Sequence, residues 1–365
     1  MTAPDFAIVG AGIAGASLAA ELAEHGARVL LLEAEDRPGY HATGRSAAFW
    51  EECYGGPELV PLTLASGGYL RENGFLTRRG ALYIGRDEDA GQLDEFMARF
   101  GPTGARIQRL DCDNLDAMLP GLREGWTDAV WEPACADIDV AALHAHYLAR
   151  AKKAGVVIEC RARVVSAQRQ AGRWDVACED GRQFDAGYLI NAAGAWADQL
   201  ADLAGAKAIG MAPLLRTVVQ LRTDPAPRPD LPLVLDINGR FYFKPEAGRL
   251  WLSPHDETPS LPCDAAPEEL AVAQAIDRLE QVMDWRVEAV ERRWAGLRTF
   301  APDRLPVYGW DAQCEGFGWF AGQGGYGIQT SPAAARLAAQ LLLGLDRDNL
   351  TCNLDAALYD PARFA

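Results

Sequence analysis

Three glycines near the start of the chain are spaced to hold a phosphate. Gly10, Gly12 and Gly15 stand in the run GAGIAG, directly after the apolar residues 6–9. In such a strand-to-helix turn the first glycine permits the tight turn. The second lets a pyrophosphate approach the backbone, and the third lets helix and strand pack closely. The phosphate then meets free N–H groups at the helix N-terminus. Glu33 follows 18 residues after Gly15 and closes a second apolar run, residues 28–32. A carboxylate at that place reaches a ribose hydroxyl and disfavours a phosphorylated ribose, so the pattern points to NAD or FAD.

The elements that must position these residues follow from the same stretch. Residues 6–33 read as a βαβ unit of about 30 residues, its helix running to about residue 25 and ended by Gly26. Residues 38–56, rich in glycine and aromatics, read as a long functional loop. Strands are expected at 81–85, 188–191, 211–221, 240–244, 250–253 and 317–321. Helices are expected at 87–100, at 139–153 with Asp137 or Asp139 as N-cap, at 267–283, and from the GQGGYG run to about residue 344. Residues 156–190 alternate strand patterns with turns at 171–172 and 180–181, the mark of a small antiparallel meander. No repeat or linker separates two halves, so two lobes are expected to interleave.

Four further runs decide between the two dinucleotides: PGYHATGRSAA at 38–48, NAAGAW at 191–196, WAGLRTFAPD at 294–303 and GQGGYGIQTSP at 322–332. With these the chain resembles the D-amino acid oxidase family of flavoproteins. Through GRSAA, FYFKPEAG, WAGLRTF and QGGYGIQTS it is most similar to the D-arginine dehydrogenases of that family. The resemblance implies an α/β, two-lobed fold: a Rossmann-like FAD-binding domain (1–79, 137–208 and 294–365) interleaved with a mostly antiparallel substrate domain (80–136 and 209–293). It implies non-covalent FAD, since the segment 294–303 has no cysteine. The implied cofactor set is Gly10, Gly12, Ile13, Ala14, Gly15, Glu33, Arg45, Ser46, Ala47, Val164, Ala193, Gly194 and Trp196, with Gly324, Gly325, Tyr326, Gly327, Ile328, Gln329 and Thr330 from the C-terminal loop and helix. Backbone N–H groups of that loop would face the reducible ring edge and stabilise negative charge there.

The resemblance also implies a substrate site. Arg298 and Arg216 match two arginines that clamp a carboxylate, a task suited to a bidentate guanidinium. Tyr54 and Tyr242 match two site tyrosines, although Tyr242 reads equally as core packing. Gln329, Gly325, Phe49 and Gly80 complete the set. Gly80 and Phe49 are departures, standing where a glutamate and a histidine are expected. Losing a carboxylate and gaining apolar bulk favours neutral or aromatic side chains over arginine, because a buried cation needs a partner; Glu51 and Glu52 are the carboxylates that the loop could supply instead. The implied reaction is hydride transfer from Cα of a D-amino acid to flavin, giving an imino acid that hydrolyses to a 2-oxo acid and ammonia. LWLSPHDETPS, at 250–260, lacks an oxygen-activating lysine, which favours a quinone or another carrier as acceptor. The rival readings are an oxygen-using amine, glycine or sarcosine-type oxidase, a 2-hydroxy acid dehydrogenase, and a flavin-binding protein without catalysis. Of the histidines, His41 lies in a flavin-contacting run, His25 at a helix end, His144 and His146 on a helix surface, and His255 in a loop.

Composition sets the outer bounds. The 365 residues are 49% hydrophobic and 24% charged, which excludes disorder as the main state. A formal net charge of -16 repels phosphate backbones and argues against nucleic acid. The eight cysteines form no C-x-x-C pair, so no zinc or iron–sulfur pattern is present. No signal-peptide pattern and no run long enough to span a membrane is visible, and the cytoplasm is the expected location.

Overall fold

A computed structural model describes residues 3–47, 49–110 and 112–365. Ala48 of the GRSAA run lies outside the described residues. The N-terminal glycine motif feeds a six-stranded sheet in the order Val307–Trp310, Phe317–Ala321, Tyr188–Asn191, Phe6–Val9, Val29–Leu32, Val157–Glu159. All neighbours are parallel except the first pair. The inner strands are apolar throughout because both faces are covered. Phe6, Ile8, Val29 and Leu31 pack towards the helices Ile13–Glu24, Val140–Lys153 and Gly327–Leu343. Ala7, Leu30 and Leu32 face the other way, onto Trp174 and Val176. Those two belong to the antiparallel meander Val164–Gln170, Arg173–Cys178, Gln183–Ala186, whose turns fall where the sequence placed them. Asp139 caps the helix Val140–Lys153, its carboxylate accepting from Ala142 N at 2.8 Å.

The second lobe is a nine-stranded sheet. Its order is Gln323–Gly324, Arg286–Phe300, Ala212–Asp224, Arg249–Ser253, Tyr242–Glu246, Leu233–Asp236, Ala81–Arg86, Trp126–Glu132, Gln108–Leu110. Only the pair Leu233–Asp236 with Ala81–Arg86 is parallel. The two long strands pair from Ala212↔Phe300 to Asp224↔Arg286, which sets Arg216 opposite Gly296 and Arg298 opposite Leu214. A small fourth sheet joins Phe49–Trp50, Ala136–Ile138 and Leu76–Arg78. It holds Trp50 fully buried, with its indole N–H on Thr63 O at 3.1 Å.

The expected α/β fold is present, with elements that carry little sequence signal of their own. The helix Val60–Glu72 carries Pro61, Gly67 and Gly68, which read as breakers. Pro61 falls in the first turn, where its missing N–H costs nothing. Gly67 makes room for Trp50, since a Cβ there would lie 2.4 Å from the indole. The first half of Arg286–Phe300 is mostly exposed, so it lacks the apolar signal of a strand. His144 corrects the surface reading: it is buried, its Nε2 is 3.0 Å from Ala11 O, and its ring touches Gly39.

Candidate active site

Two cavities meet between the sheets, of about 330 Å³ and about 300 Å³. They share Ile13, Thr43, Arg45, Gly296, Gln323 and Gly324, and so form one continuous cleft.

The first cavity gathers Gly10, Gly12, Ala14, Glu33, Val164, Ala193, Gly194 and Trp196. Gly10 has φ +103°, and a Cβ on it would lie 2.4 Å from Ala192 O, so a side chain is excluded on both counts. Gly15 does not line the cleft. It packs helix on strand, where a Cβ would meet Gly10 O at 1.8 Å. Glu33 is buried and bound by backbone: its oxygens accept from Ala11 N and Glu35 N, each at 2.9 Å. Each oxygen keeps a further lone pair for a hydroxyl. The helix N-terminus behind Gly12 has no side-chain cap, although Thr43 Oγ1 accepts from Ile13 N at 3.0 Å. Thr299 Oγ1 and Gln323 Nε2, both on this wall, are buried without a protein partner. A glycine cradle, a carboxylate at the strand tip and two orphaned polar atoms fit a dinucleotide cofactor. His41 stands beside this wall, its Nε2 3.0 Å from Glu35 and its ring 4.6 Å from Trp196. Arg45 lines both cavities but is committed to protein: it pairs with Asp264 and donates to Ala265 O at 2.8 Å.

The second cavity brings together Arg216, Arg298, Tyr54, Tyr242, Phe49 and Gly325, with Ser46, Ala47, Gly327 and Ile328 on the side nearer the cofactor cradle. Arg298 Nη1 donates to Tyr54 Oη at 2.5 Å. Gly325 permits that contact, because a Cβ there would lie 1.8 Å from the tyrosine oxygen. Arg298 Nε is buried and its single N–H has no protein partner, while Nη1 and Nη2 donate to Tyr54 and Glu257. Arg216 lies over the Tyr242 ring, 5.8 Å from its centre, and donates to Asp256 O at 3.0 Å. Burial, then the neighbouring Arg298, lowers the Arg216 pKa to about 10. Burial also opposes the charge on Arg298, but Tyr54 and Glu257 outweigh it and hold its pKa above the usual value.

Besides Gly15, four expected site residues are not on the walls. Gly80 sits against the Trp131 ring. Gln329 is buried and braces the loop, accepting from Glu51 N at 3.2 Å and donating to Glu51 O at 3.2 Å and Thr63 Oγ1 at 2.9 Å. Tyr326 donates to Arg304 O, and Thr330 Oγ1 donates to Tyr326 O at 2.8 Å.

Other residues join the site, among them Glu51, one of the two carboxylates expected from the loop. His255, read as a loop histidine, lines the second cavity. Burial, then Arg216 and Arg298, lowers its pKa to about 3, so it is neutral. Its Nδ1 is 2.9 Å from Gly239 O, which assigns the proton to Nδ1 and leaves Nε2 an acceptor. Glu257 pairs with Arg298 at 2.7 Å. Glu51 lines the opposite wall and accepts from Tyr83. Burial raises its pKa to about 7, only partly offset by that bond. The sequence signal for His255 and Glu257 was a run of three titratable residues, completed by Asp256, just past a strand end.

Comparison with known proteins agrees with this geometry. The DAO model, FAD dependent oxidoreductase, matches residues 5–341. The chain is 26% identical to the uncharacterised oxidoreductase YurR of Bacillus subtilis, over 98% of each chain. It is similar to the crystal structure of glycine oxidase from Geobacillus kaustophilus, with a TM-score of 0.85, 25% identity, and coverage of 100% of this chain and 99% of that one. It shares the fold of L-proline dehydrogenase from P. horikoshii, with a TM-score of 0.85, 22% identity and coverage of 99% and 98%. Among the described residues no helix is long and apolar enough to cross a membrane. A strand–glycine-turn–helix cradle opening onto a buried pair of arginines thus has a family to go with it: the chain belongs to the DAO family of FAD-dependent oxidoreductases.

Proposed function

We propose that the protein oxidises the Cα–N bond of a D-amino acid, with the six-stranded sheet carrying the cofactor and the nine-stranded sheet the substrate. The observation that carries this reading is the position of Arg216 and Arg298, two buried guanidinium groups in a cavity continuous with the cofactor cleft. Bound non-covalently, FAD supplies the hydride acceptor. Gly10, Gly12, Glu33 and the turn at Gly194 would hold its nucleotide half, and Gly324 to Ile328 its ring. Arg298 offers its free Nε N–H to the substrate carboxylate, with Arg216 and the two tyrosines fixing the angle at which Cα is presented. His255 Nε2 is neutral and accepts hydrogen bonds, but with its pKa lowered to about 3 it is too weak a base to take a proton from an ammonium, so the substrate amine must react already neutral.

Phe49, Phe96 and Ile237 make the rest of the wall apolar. Burial raises the Glu51 pKa to about 7, so near neutral pH it offers a guanidinium only part of a charge. Both features favour neutral or aromatic side chains. The choice of D over L, and of a quinone over oxygen, rests on sequence resemblance. The similarities found are to a glycine oxidase and an L-proline dehydrogenase, and they support a second reading, a glycine or sarcosine-type oxidase. A third reading, 2-hydroxy acids, needs a base at the site, and His255, its pKa lowered to about 3, is a poor one. Anaerobic bleaching of the flavin by a panel of D- and L-amino acids, sarcosine and 2-hydroxy acids separates them. Bleaching by hydroxy acids alone, or by none of the panel, would overturn the proposal. Peroxide release in air would move the acceptor to oxygen.

A further inference from the structure

Glu257 stands between arginines on the inside and an arginine on the outside. Its Oε1 accepts from Arg298 Nη2 at 2.7 Å and lies 3.6 Å from Arg216 Nη2. From the other side, Arg304 Nη2 donates to both oxygens, at 2.9 and 3.1 Å. The side chain of Arg304 is 52% exposed, against 9% for Arg216 and 12% for Arg298. Asp256 is turned to its neighbour strand, accepting from Thr217 N at 2.7 Å and Thr217 Oγ1 at 2.8 Å, and lies 3.9 Å from Arg216 Nε. These three arginines and two carboxylates leave a single net positive charge.

Of this cluster Arg216 and Arg298 line the second cavity, and Glu257 stands behind Arg298. Among the other charged groups on its walls, Asp236 is paired with Arg240 and Arg45 with Asp264; Glu51, on the opposite wall, accepts from Tyr83 and supplies no cation. One positive charge complements one carboxylate. A second carboxylate on the same ligand, held at the arginine end, feels the charge of Glu257 from behind Arg298 with no cation left to offset it. Like charges brought together out of water repel strongly and reject the wrong partner.

We propose that Glu257 is a specificity-determining residue that restricts the second cavity to substrates bearing a single carboxylate. It acts through Arg298, which it half-neutralises and holds in place, and touches no reacting atom. The proposal rests on the reading that Arg216 and Arg298 receive the substrate carboxylate.

The test uses the FAD-loaded full chain as wild type, Glu257→Gln and Glu257→Asp. Binding of acetate and of malonate to the oxidised protein is followed by the change in flavin absorbance. Flavin reduction by D-alanine and D-aspartate is followed alongside. Wild type and Glu257→Asp should prefer the monocarboxylate by about tenfold or more, and Glu257→Gln should shift that ratio towards the dicarboxylate by about tenfold. Equal binding of both acids by wild type overturns the proposal. So does an unmoved ratio in Glu257→Gln, or an Asp variant that shifts as far as Gln, since the effect is then one of shape. The two readings fail separately: a ratio that shifts while no amino acid bleaches the flavin sinks the reaction and keeps the charge rule, and bleaching by D-alanine with an unmoved ratio does the reverse.

Discussion

Arg298 and Tyr54 are joined by a 2.5 Å hydrogen bond that crosses from the long strand Arg286–Phe300 to the loop leading out of the small fourth sheet. The bond orders a loop residue from a rigid strand, so the proposed clamp and its aromatic wall are set together.

Removing the hydroxyl should therefore weaken substrate capture more than turnover. Tyr54→Phe is expected to raise KM about tenfold, the worth of a hydrogen bond to a charged group, with a smaller change in the limiting rate of flavin reduction. Stopped-flow reduction over a range of substrate concentrations measures both. An unchanged KM would remove Tyr54 from the site.

Gly325 makes a sharper case. A methyl group there would lie 1.8 Å from the Tyr54 oxygen and 2.9 Å from Arg298 Nη1. Gly325→Ala must displace both, so kcat/KM should fall by about a hundredfold or more while the protein still binds FAD. Flavin content by absorbance, measured on the same sample, separates this from a loss of cofactor.

Glu33 links the cofactor site to the glycine turn, since it also holds Ala11 N. Glu33→Gln keeps the shape and loses the charge. The FAD dissociation constant should rise about ten- to a hundredfold, read by equilibrium dialysis of the apoprotein with FAD. Wild-type affinity in this variant would show that the carboxylate does not bind the ribose.

Glu51 gives a pH prediction whose sign follows from its shift. Its pKa rises from 4.5 to about 7 in the folded state, mainly through burial. The folded protein is then penalised as the group ionises, so stability is full below the unfolded pKa and is lost as pH rises from 4.5 through about 7. The loss is on the order of 3 kcal/mol. Glu132, raised by its own burial and by Glu51, adds in the same direction. Urea unfolding of Glu51→Gln between about pH 5 and about pH 8 should show a shallower decline than wild type; an equal decline would refute the assignment.

The cofactor half of the site was legible because phosphate binding is local. Gly10 to Glu33 is one continuous stretch, and each residue's task follows from the backbone of a single βαβ unit. The substrate half is assembled across strands. Arg216 and Arg298 become neighbours only through the register of Ala212–Asp224 on Arg286–Phe300, and no spacing in the chain encodes it. The two were found through resemblance. His255 and Glu257 had no such help, because a loop histidine and a loop glutamate look alike whether they face water or an arginine. Gln329 misled in the other direction. It lies in a cofactor-like run, yet its amide is consumed in holding Glu51, a role visible only once the helix Gly327–Leu343 is set against the loop.

The short strand Gln323–Gly324 has a mechanical consequence. It pairs with Thr299 and Phe300 at the edge of the nine-stranded sheet, yet it lies between Phe317–Ala321 and Gly327–Leu343, both part of the other lobe. The two lobes are therefore riveted beside Arg298 rather than hinged there. Opening them like jaws would break that ladder and part Arg298 from Gly325. If the proposed function holds, substrate exchange would rest on movements of side chains and short segments rather than on a hinge between the lobes.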